Sequence, residues 1–319
     1  MPMLDMDLES LREYKGINPC PKDFDEYWAE ALKELDSVKP CVEFIPSDFK
    51  TSYADCFNMY FTGVKGARIH AKYLKPKNVK EKHPALIMFH GYRGNSGDWV
   101  DKLPYVAMGY TVVAMDCRGQ GGLSQDIGDF NGVTYGGHII RGLEDKSSNL
   151  LFRHVFLDTA QLARIVMDME DVDSNRVGVT GYSQGGGLTI ACAALEPRIK
   201  KIAPVYPFLS DYKRVWQMDL AKEAYEELNY YFRFFDPLHK REDEIFTKLG
   251  YIDVKNLAKN IKSEVLFTAT LLDNICPPST QFAIYNRLCC KKELRIYSDF
   301  GHEALPMTND AIFQFMSNL

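Results

Sequence analysis

Hydrophobic positions recur at two spacings along the chain, and the changes between them mark out its elements. Phe24, Trp28, Leu32 and Leu35 follow one another at helical spacing behind Asp23 and Glu26, a pair that resembles a capping box, so a helix is predicted over residues 24–36. From Val42 to Leu74 the pattern turns to alternation, clearest in Ala67-Arg68-Ile69-His70-Ala71-Lys72-Tyr73-Leu74, as in antiparallel strands at a sheet edge. Residues 1–80 thus read as an N-terminal helix and edge strands, closed by a loop at Pro76 and the lysine-rich stretch behind it. Compact apolar runs then appear at 85–89, 111–115, 176–180, 201–205, 265–269 and 294–297. Runs this short and this apolar suit parallel strands covered on both faces. Helical segments fall between them near 102–108, 153–169, 186–195, 279–288 and 309–318. The alternation predicts an α/β fold with a mostly parallel central sheet and helices on both faces, in one domain spanning 1–319.

One interval is too long for a single crossover. About 60 residues separate the run at 201–205 from that at 265–269. Within it Leu220, Ala224, Leu228, Tyr231 and Phe235 suggest an amphipathic helix, followed by the charged run His239-Lys240-Arg241-Glu242-Asp243-Glu244. Residues 207–260 are therefore expected to form an inserted helical cap over the carboxyl ends of the strands.

Composition narrows the partners. The 319 residues are 46% hydrophobic and 25% charged, with a formal net charge of −5, so nothing in them offers the basic footprint of a nucleic-acid binder or of a protein drawn to an acidic membrane. The first ten residues lack a basic region followed by an apolar core, and no stretch reaches the run of about 18 apolar residues that a membrane span needs. A cytoplasmic location is expected. Eight cysteines (20, 41, 56, 117, 192, 276, 289 and 290) contain no C-x-x-C pair, which points to reduced, buried thiols, with Cys289 and Cys290 the candidates for exposure.

The chemistry concentrates at Val177-Gly-Val-Thr-Gly-Tyr-Ser-Gln-Gly-Gly-Gly187, where a β-branched run passes through Gly-x-Ser-x-Gly directly into a helical segment. A nucleophile elbow holds its serine on a strained strand-to-helix turn, so Gly181 and Gly185 leave room for the close approach and the Ser183 hydroxyl projects above the sheet. The pattern alone arises by chance in about one chain in ten of this length. Partners must carry the rest. In the α/β-hydrolase order Ser, Asp or Glu, His, the acid and base sit behind late strands. Asp273 stands just beyond the run at 265–269, and His302 just beyond that at 294–297. His70, His83 and His154 precede the serine, His239 sits in the charged run, and His138, in Tyr135-Gly136-Gly137-His138, reads as a loop residue. Asp299 and Glu303 are too near His302 in sequence to reach its far ring nitrogen, and Asp253 stands before its strand.

An oxyanion hole needs two donors, one N–H after the nucleophile and one from the loop after an early strand. Gln184 offers the first and Tyr92, in Phe89-His90-Gly91-Tyr92-Arg93-Gly94, the second, with His90 a buried structural residue. No Gly-x-Gly-x-x-Gly, no phosphate-binding Gly-x-x-x-x-Gly-Lys-[Ser/Thr] and no His-Glu-x-x-His occurs, so neither a nucleotide cofactor nor a catalytic metal is expected.

Three motifs together resemble a known family. Asp116-Cys117-Arg118-Gly119-Gln120-Gly121, Gly181-Tyr182-Ser183-Gln184-Gly185-Gly186 and His302-Glu303 look like the Arg-Gly-Gln, Gly-x-Ser-Gln-Gly and His-Glu motifs of the acetyl xylan esterase and cephalosporin C deacetylase family, carbohydrate esterase family seven. The likeness extends to Asp23-Phe24-Asp25-Glu26-Tyr27-Trp28 and to Asp273-Asn274-Ile275-Cys276-Pro277-Pro278, and so covers nearly the whole chain. It implies an α/β-hydrolase fold with an intracellular, often ring-shaped hexameric enzyme that removes acetyl groups from short xylo-oligosaccharides and often from cephalosporin C. It also implies that Arg118, Gly119, Gln120 and Glu303 support the active-site loops, although a structural salt bridge would account for Arg118 and Glu303 equally well. A general carboxylesterase or serine peptidase on the same fold is the alternative, and a non-catalytic binding protein the alternative from another class.

Overall fold

Strands form where the apolar runs lie. A computed structural model describes residues 4–77, 79–127 and 138–319, so Tyr135, Gly136, Gly137 and the first three residues of the chain lie outside the described residues. The strands are β1 (Glu43–Pro46), β2 (Ala54–Thr62), β3 (Arg68–Pro76), β4 (His83–Phe89), β5 (Thr111–Met115), β6 (Val172–Tyr182), β7 (Lys201–Val205), β8 (Glu264–Thr270) and β9 (Lys292–Tyr297). They form one sheet in the order β1-β2-β3-β5-β4-β6-β7-β8-β9. The first three strands run antiparallel, and β3 meets β5 antiparallel. From β5 onward every neighbouring pair is parallel, which brings the carboxyl ends of β4, β6, β7, β8 and β9 to one rim. Loops at that rim carry the candidate site.

The helices are α1 (Leu8–Glu13), α2 (Phe24–Asp36), α3 (Leu103–Ala107), α4 (Leu151–Met167), α5 (Gln184–Leu195), α6 (Tyr212–Gln217), α7 (Glu226–Phe235), α8 (Glu242–Leu249), α9 (Val254–Leu257), α10 (Pro278–Tyr285) and α11 (Thr308–Met316). Strand alternation sorts the core into two layers. Ile87, Val113 and Met115 join Trp28, Phe152, Phe156, Leu188 and Ile190 on one face, while Leu86 and Val112 join Tyr105, Val106, Ile312 and Met316 on the other. Every residue of α5 is buried, as its lack of a polar face requires. Each leucine or isoleucine so enclosed contributes about 2 kcal/mol relative to exposure. The sheet therefore holds the turn at the head of α5 between two packed layers.

Three local expectations differ from the structure. Asp23 makes no capping hydrogen bond; its backbone is not extended, and its carboxylate accepts the Tyr251 hydroxyl at 2.6 Å. The helix expected from Leu220 begins only at Glu226, because Asp219 and Glu223 both adopt positive φ (55° and 49°), which an α-helix cannot contain. The thiols also divide: Cys56, Cys117, Cys192 and Cys276 are buried, but Cys20 and Cys41 are exposed beside Cys289, the first between two prolines and the second behind one. All eight are free.

The stretch between β7 and β8 carries α6 to α9, and its root is tied to the start of the chain. Asp211, fully buried, accepts the Tyr14 hydroxyl at 2.7 Å and the N–H groups of Ile17 and Asn18 at 2.9 and 2.7 Å. Lys255, equally buried, donates to Asp253 at 2.7 Å and to the Asn18 carbonyl at 2.9 Å. These buried charges are paired and hydrogen-bonded, the condition on which a folded interior tolerates them.

Candidate active site

Ser183 sits between β6 and α5 at φ 56° and ψ −117°, outside the regions that non-glycine residues ordinarily occupy. The surroundings over-determine this backbone. Its N–H donates to the Val205 carbonyl at 3.0 Å, and its carbonyl accepts the N–H groups of Gly187 and Phe208 at 3.0 and 2.9 Å. The flanking glycines are needed for space: a Cβ on Gly181 would come within 2.5 Å of the Gly185 backbone, and one on Gly185 within 2.1 Å of the Phe89 carbonyl oxygen. The turn thus presents the Ser183 side chain while burying all but 8% of the residue.

His302, in the loop after β9, brings Nε2 to 3.0 Å from Ser183 Oγ. Its Nδ1 lies 2.8 Å from Oδ2 of Asp273, in the loop after β8. Asp273 is fully buried, and its Oδ1 accepts the N–H groups of Ile275 and Cys276 at 2.8 and 2.7 Å. A carboxylate so held accepts the Nδ1 proton, which leaves the Nε2 lone pair aimed at the serine hydroxyl. Cys276 joins the group, and ligand atoms of Asp273, Cys276 and His302 lie within 4.8 Å of one another. Burial pushes the Cys276 thiol up, so it stays protonated and is a weak metal ligand beside an acid and a base already bonded to each other.

Gln184, fully buried, is the first residue of α5, where backbone N–H groups have no acceptor within the helix. Its side chain pairs reciprocally with that of Gln120, at 2.8 and 3.0 Å. Gln120 Oε1 also accepts the Arg93 N–H at 2.9 Å, so one amide ties the Arg-Gly-Gln loop to both the serine turn and the loop of Tyr92. Gln120→Ala would leave the buried Gln184 amide without its main partner. A loss of about 1–2 kcal/mol is expected, read as a lower urea midpoint. An unchanged midpoint would show that the pair contributes nothing to stability.

The remaining motif residues divide by role. Arg118 does not face the serine; it is buried against Asp158 of α4 in a two-point ion pair of 2.5 and 2.7 Å and donates to the Val64 carbonyl at 2.8 Å. Gly119 takes φ +60°, and a Cβ there would meet Asp126 at 2.9 Å. Glu303 is exposed and its carboxylate accepts the Gly301 N–H at 3.0 Å, which braces the turn before His302. His90 Nε2 accepts the Cys117 N–H at 3.0 Å and Nδ1 donates to the Gly91 carbonyl at 2.7 Å, while burial lowers its pKa, all consistent with a neutral structural imidazole.

Two neighbours were not singled out in the sequence. Tyr206 packs its ring against His302 at 4.7 Å between centroids and donates its hydroxyl to the Glu303 carbonyl at 3.0 Å. Its position directly behind the run at 201–205, at a strand's carboxyl end, was the available signal. Glu227 of α7 is 1% exposed and bonds the Tyr92 hydroxyl. Ala224, Glu227, Leu228 and Tyr231 stand at i, i+3, i+4 and i+7, so an acid on an apolar stripe was visible in the spacing.

Comparison with known proteins agrees with this architecture. The family model for acetyl xylan esterase (AXE1) matches residues 1–319. Acetyl xylan esterase 1 from Thermoanaerobacterium sp. JW/SL YS485 superposes with a TM-score of 0.97 at 63% identity, over 99% of each chain. The acetyl xylan esterase from Paenibacillus sp. R4 superposes with a TM-score of 0.93 at 34% identity, over 98% of this chain and 99% of that one. Acetyl esterase Axe7A of Xylanibacter ruminicola is 28% identical over 310 residues, a match that takes in 92% of this chain and 66% of the length of that protein.

Proposed function

The chain belongs to the acetyl xylan esterase family, and on that premise we propose that it is a serine esterase removing acetyl groups from small acetylated carbohydrates, short xylo-oligosaccharides first among them. The observation that carries the reading is the alignment of Ser183 Oγ, both ring nitrogens of His302 and Asp273 Oδ2 at 3.0 and 2.8 Å. As Oγ attacks the acetyl carbonyl carbon, its proton passes to His302 Nε2 and the carbonyl oxygen takes the negative charge. The N–H groups of Gln184 and Tyr92 hold that oxygen, and Asp273 stabilises the imidazolium. Collapse breaks the bond to the sugar oxygen, which leaves with the proton from Nε2, and Ser183 remains acetylated. Water then attacks the acetyl carbonyl, gives a proton to Nε2, and acetate leaves as that proton returns to Oγ. The cycle needs no cofactor and no metal.

The same reading extends to cephalosporin C as an alternative acetyl ester, to a ring-shaped homohexamer inside the cell, and to residues 207–260 as a cap over the sugar side of the site. No helix among the described residues is long and apolar enough to cross a membrane. Acetate is proposed as the preferred acyl group, with Tyr92 as the boundary that would exclude longer chains. On acetyl, butyryl and octanoyl esters of one alcohol, kcat/KM is expected to fall by at least about tenfold from acetyl to butyryl, the least that excluded methylenes cost in a closed pocket. A flat or rising series would instead indicate a general carboxylesterase.

A further inference from the structure

On the face of the sheet opposite α5, a cavity of about 680 Å³ lies between the carboxyl ends of β4 and β6 and the helices α3 and α11. Its volume falls in the range of small-molecule sites. Met88, Ala114, Ile312 and Phe313 give it apolar walls. Tyr182, the neighbour of Ser183, lines it and donates its hydroxyl to Asn309 Oδ1 at 2.5 Å, whereas Ser183, Asp273 and His302 do not reach it. Several polar groups of the wall are left unused. Ser96 and Tyr105 are 7% and 8% exposed, yet neither hydroxyl has a hydrogen-bond partner among the described residues, and neither oxygen is sealed in by protein, so both open into the cavity. Groups set so deeply ordinarily have a partner. Lys102, 5% exposed, donates one ammonium hydrogen, to the Asp98 carbonyl at 2.7 Å, and has two more to give. Burial lowers its pKa to about 8, which leaves it charged at neutral pH. Exposed Asp101 and Asp310 line the same cavity.

We propose that this cavity is a second carbohydrate site, which takes a short run of pyranose rings of a neutral sugar chain beside the serine turn. The class of ligand follows from the lining. An anion would meet Asp101 and Asp310, and a cation would meet Lys102, so like charge opposes a ligand of either sign. A neutral polyol meets no such opposition. Its hydroxyls accept from Lys102, exchange hydrogen bonds with Ser96 and Tyr105 and donate to the two carboxylates, while the C–H faces of its rings cover Met88, Ile312 and Phe313. Because the cavity does not include the triad, it holds chains without an acetyl group as well as those that carry one. That the sugar is a xylo-oligosaccharide rests on the proposed function; that it is a neutral polyol rests on the cavity alone.

The test is the dissociation constant of xylotriose, which carries no acetyl group, measured by isothermal titration calorimetry on the wild type, Ser183→Ala, Ser96→Ala, Tyr105→Phe and the Ser96→Ala/Tyr105→Phe double variant. Ser183→Ala is expected to bind as the wild type does. The double variant should bind at least about fivefold more weakly, the least that two lost hydrogen bonds cost. Turnover of 4-methylumbelliferyl acetate, which has no sugar, should change less than about twofold in Ser96→Ala and in Tyr105→Phe, whose side chains lie outside the triad. No heat of binding by the wild type up to about 20 mM xylotriose overturns the proposal, as does equal binding by the wild type and the double variant. Stronger displacement of xylotriose by glucuronate or glucosamine than by glucose overturns the neutral class. If the double variant fails to fold, the single variants, each expected to bind about twofold or more weakly, still decide. Turnover that survives Ser183→Ala would instead refute the catalytic reading and leave the binding result as it stands, so the two failures are distinguishable.

Discussion

Ser183→Ala is expected to lower kcat/KM on acetyl esters by about four to six orders of magnitude, with the circular dichroism spectrum unchanged. The size follows from the proposed roles: His302 Nε2, 3.0 Å from Oγ, is placed to take its proton, and without the hydroxyl the proposed base and acid have no nucleophile to serve. What remains is the stabilisation of charge by backbone donors, which acts on a water attack that the site is not built to position. Alanine at φ 56° is no more strained than serine, so the backbone contacts of the turn survive the change. A variant retaining more than about a hundredth of wild-type activity would show that turnover proceeds through another nucleophile.

Arg118→Met should produce the largest stability effect of any single motif residue, a loss of about 3–5 kcal/mol, because it strands the Asp158 carboxylate in the core. Both side chains are at most 1% exposed, and a Cβ on Gly63 would sit 2.3 Å from Asp158 Oδ1, so the pair is tightly enclosed and shut off from solvent. The expected readout is a lower urea midpoint with little change in its slope. Adding Asp158→Leu should recover part of the loss, since removing both charges also removes the uncompensated one. Folded Arg118→Met should keep activity within about tenfold, as its partners are α4 and the Val64 carbonyl and not the serine. An unchanged midpoint with activity lost would move Arg118 into the reaction.

Most of the parallel strands were legible because they are buried and read as compact apolar runs, β9 at the sheet edge being the partly exposed exception with Arg295 inside its run, and the candidate triad because Ser183, Asp273 and His302 each come soon after such a run. The family was legible in motifs at those same positions, and the match to the acetyl xylan esterase family over residues 1–319 shows the membership. Two kinds of feature escaped. The start of α7 depends on positive φ at Asp219 and Glu223, residues whose composition gives no sign of it and whose backbone is set by tertiary packing. The capping box failed because Asp23 found a distant partner, Tyr251, that no local pattern reveals. Glu227 is different: the helical spacing placed it among buried residues, but only the fold shows that its partner is the loop of Tyr92.

The tie between Asp211 and the start of the chain bears on protein engineering. If residues 207–260 act as the proposed cap, they invite exchange between relatives as a route to new leaving-group preferences, yet a transplant of that segment alone would carry Asp211, Asp253 and Lys255 without Tyr14, Ile17 and Asn18. Of these partners only the Tyr14 hydroxyl belongs to a side chain; the Ile17 and Asn18 N–H groups and the Asn18 carbonyl are main-chain, so a recipient without a tyrosine at that place, or with another backbone path there, would leave buried Asp211 and Lys255 short of partners. The exchangeable unit is therefore discontinuous wherever the recipient differs there: Tyr14 and the path of residues 14–18 have to match the helices they anchor.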